Sequence, residues 1–292
     1  MNNKFSFCIS FSGFTLRFSL PTKITIPECF DDLLCEDTDT PTAEYQVELL
    51  ETPLRPEGCA IYAGNDFSVY KTEDEILRIY TPLSAEDGCQ VACCMRKNGK
   101  HTLYYPASMW NHYSSHWHCT HLLCGEVLLC MQNALLLHSS VVKSDSKVLL
   151  FCGESGAGKS TQASLWQKHK GAEILNGDRC VIRKINDVFY GGGSPWSGTS
   201  GIYSKEHFPI SAVIMLKKAP HNAISKVGSK AFVKLMSQTT QNPWDKDFMS
   251  IITDIYVQFL DSVPVFELEC LPDEGAVELV YNTVFKREDK YE

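Results

Sequence analysis

The 292-residue sequence contains no CxxC pair, no unbroken apolar run of bilayer length and no excess of basic residues. Each absence removes a class of function. Its 13 cysteines fall at irregular spacings, most inside apolar stretches such as Ala92-Cys93-Cys94-Met95 and Leu128-Leu129-Cys130-Met131. An odd count without CxxC supports neither a zinc ribbon nor a thioredoxin-like motif, so these read as reduced core thiols in a cytoplasmic protein. With 27 Lys+Arg against 35 Asp+Glu and a formal charge of −8, the chain lacks the positive face that tracks nucleic-acid phosphates. DNA and RNA are not expected partners. The most apolar stretch, residues 122–137, is interrupted by Glu126, Gln132 and Asn133 and falls short of the roughly 20 residues that cross a bilayer. Residues 5–11 alternate apolar and small polar side chains, a strand pattern and not a secretory leader. No membrane partner is expected either.

What remains is a globular composition, 44% hydrophobic and 21% charged, able to bury a substantial core. At about 150 residues per domain the length suggests roughly two domains. We expect a β-rich module over residues 1–106 and an α/β domain over 107–292. In the first, strand-like runs at 5–11 and 14–20 flank Ser12-Gly13, and further runs follow at 67–70, 76–80, 90–95 and 102–105, with Asn98-Gly99 marking a tight turn. This predicts a mostly antiparallel sheet. Residues 21–56 carry Pro21, Pro27, Pro41, Pro53 and Pro56 and are expected to be loop or irregular crossover. Leu123, Val127, Met131 and Leu135 recur every four residues and predict a helix ending near His138. Residues 140–143 and 147–152 then read as strands around Ser144-Asp145-Ser146.

The second strand runs into Gly153-Glu154-Ser155-Gly156-Ala157-Gly158-Lys159-Ser160, which fits GxxxxGK[ST] between a strand and a helix over 159–169. Glycines let successive main-chain N–H groups turn inward at phosphate oxygens, and the helix N-terminus adds partial positive charge. Nucleotide-binding candidates are therefore Gly153, Glu154, Ser155, Gly156, Ala157, Gly158, Lys159, Ser160 and Thr161. Lys159 would reach the β- and γ-phosphates and Ser160 would ligate Mg²⁺. Such a site needs a further carboxylate beyond a neighbouring strand. Asp178, in Asn176-Gly177-Asp178-Arg179, stands at that place, and an Asx-turn role is the plain alternative. The following runs, 180–184 and 188–190 around Asn186-Asp187, predict a hairpin where Ras-like proteins continue into a helix.

Leu137-His138-Ser139, the hairpin into the glycine loop and the Gly177-Asp178-Arg179 turn together resemble the C-terminal domain of HPr kinase/phosphorylase. They are more distantly similar to the nucleotide-binding half of ATP-dependent phosphoenolpyruvate carboxykinases. The segment from Gly193-Ser194-Pro195-Trp196-Ser197-Gly198 to Val263-Pro264-Val265 resembles HPr-kinase-related serine kinases found near peptide-modification genes. The likeness covers about residues 120–286. It implies an α/β P-loop domain of the phosphoenolpyruvate carboxykinase/HPr kinase type, behind the β module. It also implies Ser160 and Asp178 on Mg²⁺, Asp178 or a neighbour deprotonating an acceptor hydroxyl, and His138 lining the same cleft. Paired aspartates are expected at this turn in the bifunctional enzymes; here the first position is Gly177, which favours simple kinase action over phosphorolysis. Lys286-Arg287-Glu288-Asp289-Lys290 is mixed in sign, unlike a basic segment that would recognise HPr.

His138 serves equally well as a structural histidine, and Arg179 either neutralises charge on a transferred phosphoryl group or forms a surface ion pair. Glu154 is a metal-shell carboxylate or an exposed loop residue. His112, His116, His118, Cys119, His121 and Cys124 are metal-capable, with His112 and His116 expected on one helical face, but HExxH and CxxC are both absent. The glycine-rich stretch 191–201, with Ser194, Trp196, Ser197 and Gly198, is expected to close over the acceptor and exclude water. The stripes Phe248, Ile251, Ile252, Ile255, Tyr256, Phe259 and Val277, Val280, Tyr281, Val284 read as core-facing helices.

These observations imply an ATP- and Mg²⁺-dependent phosphotransferase. Asp178, Lys159, His138 and Arg179 form its catalytic set, and the acceptor is a hydroxyl of a peptide, protein or small molecule, with homo-oligomer formation left open. The alternative is a non-catalytic nucleotide-binding module that regulates a protein partner. Carboxykinase chemistry would need a second metal site with Lys and His ligands, which the sequence does not place.

Overall fold

A computed structural model gives the positions of residues 5–80 and 90–286, the side chains of Cys29, His116, Trp117 and His118 apart. The mixed-sign segment beyond Lys286 lies outside the described residues. The fold is mixed α/β with two large sheets, in two compact units: Met1–Met131 with Asn242–Phe248, and Gln132–Gln241 with Met249–Glu292.

The first unit is built on β1 (Phe5–Phe11), β2 (Phe14–Leu20), β3 (Leu34–Cys35), β4 (Ala43–Leu50), β5 (Tyr62–Ala63), β6 (Phe67–Lys71), β7 (Glu75–Tyr80), β8 (Val91–Arg96) and β9 (Lys100–Pro106). Their order across the sheet is β3-β1-β2-β4-β9-β8-β7-β6-β5. Strand β2 alternates Phe14, Leu16, Phe18 and Leu20 inward with half-buried residues between. Ser12 and Gly13 both take positive φ in the two-residue turn before it, which is why a glycine sits there. The loop expected over 21–56 contains β4, whose Ala43, Tyr45 and Val47 face the core. It runs parallel to both β2 and β9, while the other pairings described in this sheet are antiparallel, so the module is mostly antiparallel as expected, with β4 as a parallel insertion. The prolines concealed β4 because they flank it and none lies within it.

Two 3-10 helices, Glu28–Leu33 and Ala107–His112, and the short helices α1 (His116–His121) and α2 (Gly125–Met131) complete this unit. His112 ends one helix and His116 begins the next, so the shared helical face expected for them does not form. Among the described residues no group of three or more His, Cys, Asp or Glu could hold a metal ion. Deep in the unit, Arg78 Nη2 lies 2.5 Å from Glu126 Oε1, with the Arg78 guanidinium 4.8 Å above the centre of the Phe67 ring. Asn242 Nδ2 donates to the same Glu126 oxygen at 3.4 Å. Burial alone would raise the Glu126 carboxyl, but the Arg78 charge and hydrogen bond outweigh it and hold the group below its ordinary value.

The second unit comprises β10 (Ala134–Ser144), β11 (Lys147–Cys152), α3 (Lys159–Lys170), β12 (Glu173–Asn176), β13 (Arg179–Ile185), β14 (Val188–Gly192), β15 (His207–Lys218), β16 (Ala223–Lys226), α4 (Ala231–Met236), most of α5 (Lys246–Ser262), β17 (Val265–Cys270) and α6 (Glu274–Val284). The sheet runs β11-β10-β13-β14-β15-β17-β16, with β12 on β10 and β11 also paired in parallel with β15. Strand β10 overturns the expected helix through His138. Helix α2 stops at Met131, Asn133 adopts φ +52°, and the chain is extended from Ala134. The run Ala134-Leu135-Leu136-Leu137 is buried throughout, and a strand covered on both faces has no period to tell it from a helix. Every residue of β11 after Lys147 is buried. On one face, Trp166 and Ala163 of α3 pack with Ala276, Val277, Val280 and Val284 of α6 over Leu149, Phe151 and Ile214. Among the described residues no helix is long and apolar enough to cross a membrane.

Candidate functional site

The chain leaves β11 at Cys152 and turns through Gly153 (φ +154°), Gly156 (φ +76°) and Gly158 (φ +106°) before α3 begins at Lys159. A side chain at Gly153 would press on Ala157 Cβ at 2.8 Å and on the Leu216 carbonyl at 3.2 Å, so this corner needs glycine for space and for conformation. Lys159 folds back over the loop, its ammonium 3.0 Å from the Gly153 carbonyl oxygen and 3.5 Å from that of Glu154. Helix α3 has no acidic residue in its first turn, carries Lys168, His169 and Lys170 in its last, and closes on Gly171 at φ +63°. Its N-terminal N–H groups and dipole therefore offer uncompensated positive potential at the loop. Glu154 and Ser155 are exposed in the loop, and Ser160 and Thr161 are exposed on the first helical turn.

The carboxylate turn lies between β12 and β13 in the same unit. Asp178 Oδ1 is 3.1 Å from His138 Nε2, and Oδ2 is 3.2 Å from Arg179 Nε. His138 on β10 pairs directly with Arg179 on β13 in the sheet register, so the ladder aligns the side chains flanking Asp178. The Ser139 N–H donates to the Asp178 carbonyl at 2.9 Å, and the Ser140 hydroxyl donates to the Gly177 carbonyl at 3.0 Å. The His138 hydrogen bond, more than the Arg179 and Lys159 charges, holds the Asp178 carboxyl below its ordinary value against the opposing effect of burial. Burial pushes the Lys159 ammonium down, and the Asp178 charge works the other way. The two groups feel each other.

No family model matches the chain, and no curated protein matches it. Solved structures similar to it include the Hpr(Ser) kinase/phosphatase from Coxiella burnetii. That likeness covers 52% of this chain and 98% of that one, at 14% identity and a TM-score of 0.31. It is at most a distant likeness of fold.

The glycine-rich loop after β14 meets the carboxylate turn. A side chain on Gly198 would lie 2.9 Å from Asp178 Cγ and 3.1 Å from Oδ2, and one on Gly177 would run into Ser200. Ser200 in turn is tied to the Ser197 carbonyl, its N–H at 3.2 Å and its hydroxyl at 2.6 Å. Ser194 and Ser197 are buried, whereas Trp196 is half-buried. The structure thus brings His138, Asp178, Arg179 and the 194–200 loop together. Sequence reasoning passed over the residue beneath them, Asn176, which is fully buried. Its side chain accepts the N–H groups of Asp178 and Arg179, both at 2.8 Å. The signal was present: an Asn two residues before Asp178 in a turn is the pattern of an Asx turn.

Proposed function

We propose that the chain binds ATP with Mg²⁺ and transfers the γ-phosphoryl group to a hydroxyl, that of a serine in a peptide or protein or of a free amino acid. One observation carries this reading: a glycine loop between β11 and α3 turns its main chain at three glycines with positive φ and folds the Lys159 ammonium back over its own carbonyls at the start of the helix. The residues present fit the groups they would hold. A Cβ at Gly156 or Gly158 would meet nothing within 4 Å, so main chain there faces open space of the kind a triphosphate can fill. Mg²⁺ is commonly bound by one or two carboxylates together with substrate phosphates, which suits Asp178 and the exposed Ser160 hydroxyl. When bound, the metal would neutralise charge on the β- and γ-phosphates.

On this reading Lys159 exchanges two neutral carbonyl partners for anionic phosphate oxygens, a stronger pairing. Asp178, oriented by His138, takes the proton of the acceptor hydroxyl as its oxygen bonds to the γ-phosphorus and the bridging oxygen leaves with ADP. Arg179 offsets negative charge on the transferred group, and the Trp196 loop shields the reacting atoms from water. Such a reaction asks mainly for positioning and charge neutralisation, which these side chains supply. The test is calorimetry with MgATP, followed by labelled-ATP transfer to a panel of peptides, proteins and amino acids. No heat with MgATP would end this reading.

A second reading is a nucleotide-binding regulatory module that acts through a protein partner. What favours it is that both Asp178 oxygens are engaged, by His138 and Arg179, with Gly198 against the carboxyl group. It calls for nucleotide binding with no label passed to any acceptor.

A further inference from the structure

We propose that Asn176 is a positioning residue, a buried amide that ties the Asp178 turn to the Trp196 loop so that carboxylate and loop move as one piece. Its purpose rests on the phosphotransferase reading; the linkage itself is geometry. Asn176 ends β12 with no exposed surface. Its Oδ1 accepts from the Asp178 and Arg179 N–H groups at 2.8 Å each. Its Nδ2 donates to the Ser194 carbonyl at 3.1 Å and approaches the Ser194 hydroxyl at 3.3 Å. Ser194, equally buried, donates its hydroxyl to the Arg179 carbonyl at 2.8 Å and accepts the Trp196 N–H at 3.2 Å. The bonds close a ring: turn to amide, amide to loop serine, serine back to the turn.

An Asx turn alone needs only the carbonyl end of the side chain, and an aspartate or serine on the surface supplies that as well. Here the other end is spent on a distant loop, out of water, where a lost partner is costly. The consequence falls on Asp178. Gly198 is the residue against its carboxyl group, and Ser200 fills the space beside Gly177. Where the loop sits therefore decides the room around the carboxylate, and Asn176 decides where the loop sits. Lys159 and the glycine loop take no part in this ring, so the two halves of the site are separable by mutation.

Hydrogen exchange on the full chain, without nucleotide, tests the linkage. Ser194→Ala removes one hydroxyl from the loop; we expect faster exchange at the Asp178 and Arg179 amides as well as at Trp196. Exchange changed only over residues 194–198 overturns the proposal. Calorimetry then tests the purpose, with ATP in excess Mg²⁺ and ATP in EDTA. For Asn176→Ala and Ser194→Ala, metal-free affinity stays within about twofold of wild type, and the gain on adding Mg²⁺ shrinks by about tenfold. The double variant is no worse than the weaker single one, because both break the same ring. Asn176→Asp, which keeps the acceptor and loses the donor, follows Ser194→Ala. A merely structural asparagine would weaken both affinities in step with a lowered Tm, and that result also overturns the proposal. Should Asn176→Ala fail to fold, Ser194→Ala decides alone. A wild type that binds no ATP removes the phosphotransferase reading, while the exchange result still settles the linkage.

Discussion

Of the carboxylates in this molecule that pair with arginine, Glu126 with Arg78 and Asp178 with Arg179 make the sharpest contrast, and both are held below their ordinary pKa. They are built for different ends. Glu126 and Arg78 keep only 11% and 8% of their side-chain surface exposed, with an aromatic ring and an asparagine completing the enclosure. Asp178 and Arg179 keep 29% and 33%, beside a histidine, a lysine's charge and a glycine loop. Charge sealed in a core holds segments together, since nothing else can satisfy it there. Charge left half-open on a strand end can exchange its partner for a ligand. The difference lies in access, and access is what mutation and pH can probe.

The largest effect is expected in the sealed pair. Glu126→Leu or Arg78→Met alone should cost about 3–5 kcal/mol in urea unfolding, because each leaves a lone buried charge. The double replacement should recover much of that loss; single losses below about 1 kcal/mol would mean that the pair is hydrated after all. In the open site, Lys159→Ala should weaken MgATP binding roughly a hundredfold, about the worth of a hydrogen bond to a charged partner. Its unfolding midpoint should hardly move, since the ammonium now meets only two carbonyl groups. Asp178→Asn should leave metal-free ATP binding within a few-fold, lose at least as much of the Mg²⁺-dependent gain as Asn176→Ala, and slow phosphoryl transfer by about a hundredfold or more, the usual reach of a proton-accepting group. Full transfer by this variant would remove Asp178 from the chemistry.

Acid gives the smallest and most diagnostic effect. Both carboxyls titrate lower in the folded chain than their ordinary values, 4.5 for Glu126 and 3.8 for Asp178. Each therefore adds stability above its ordinary value, and that stability is lost as pH falls through the lower, folded value. The loss should be dominated by Glu126, because solvent screens the half-open Asp178. Urea midpoints followed from neutral pH to about pH 3 should fall less steeply for the Arg78→Met/Glu126→Leu double variant than for wild type. Parallel curves would contradict the ranking of the two sites.

Much of this was legible in the residues themselves, for identifiable reasons. Strand β2 ends where alternation ends, because one face is buried and the other is only half-buried. The β13/β14 turn follows from Asn186-Asp187, two residue types that tolerate the positive φ both adopt. The glycine loop, α3 and its Gly171 stop were equally visible. Strand β10 was not, because a run buried on both faces loses its period. Strand β4 was obscured by composition, since its prolines are neighbours and not members. In the proposed site, local spacing singled out Lys159 and Asp178 as candidates, and a glycine-rich stretch singled out the loop that the structure places against Asp178. The amide between them could not be weighed from spacing, because what distinguishes Asn176 from any turn asparagine is a partner 18 positions away.

The contact between Gly177 and Ser200 reaches furthest. The position beside Asp178 where another acid would have to stand is already let to a tenant, the hydroxyl-bearing residue of a neighbouring segment. A single exchange of Gly177 for aspartate would evict that segment before it could add any chemistry. Converting this centre to a two-acid design would demand coordinated changes at both places, so the one-acid arrangement is a commitment of the backbone.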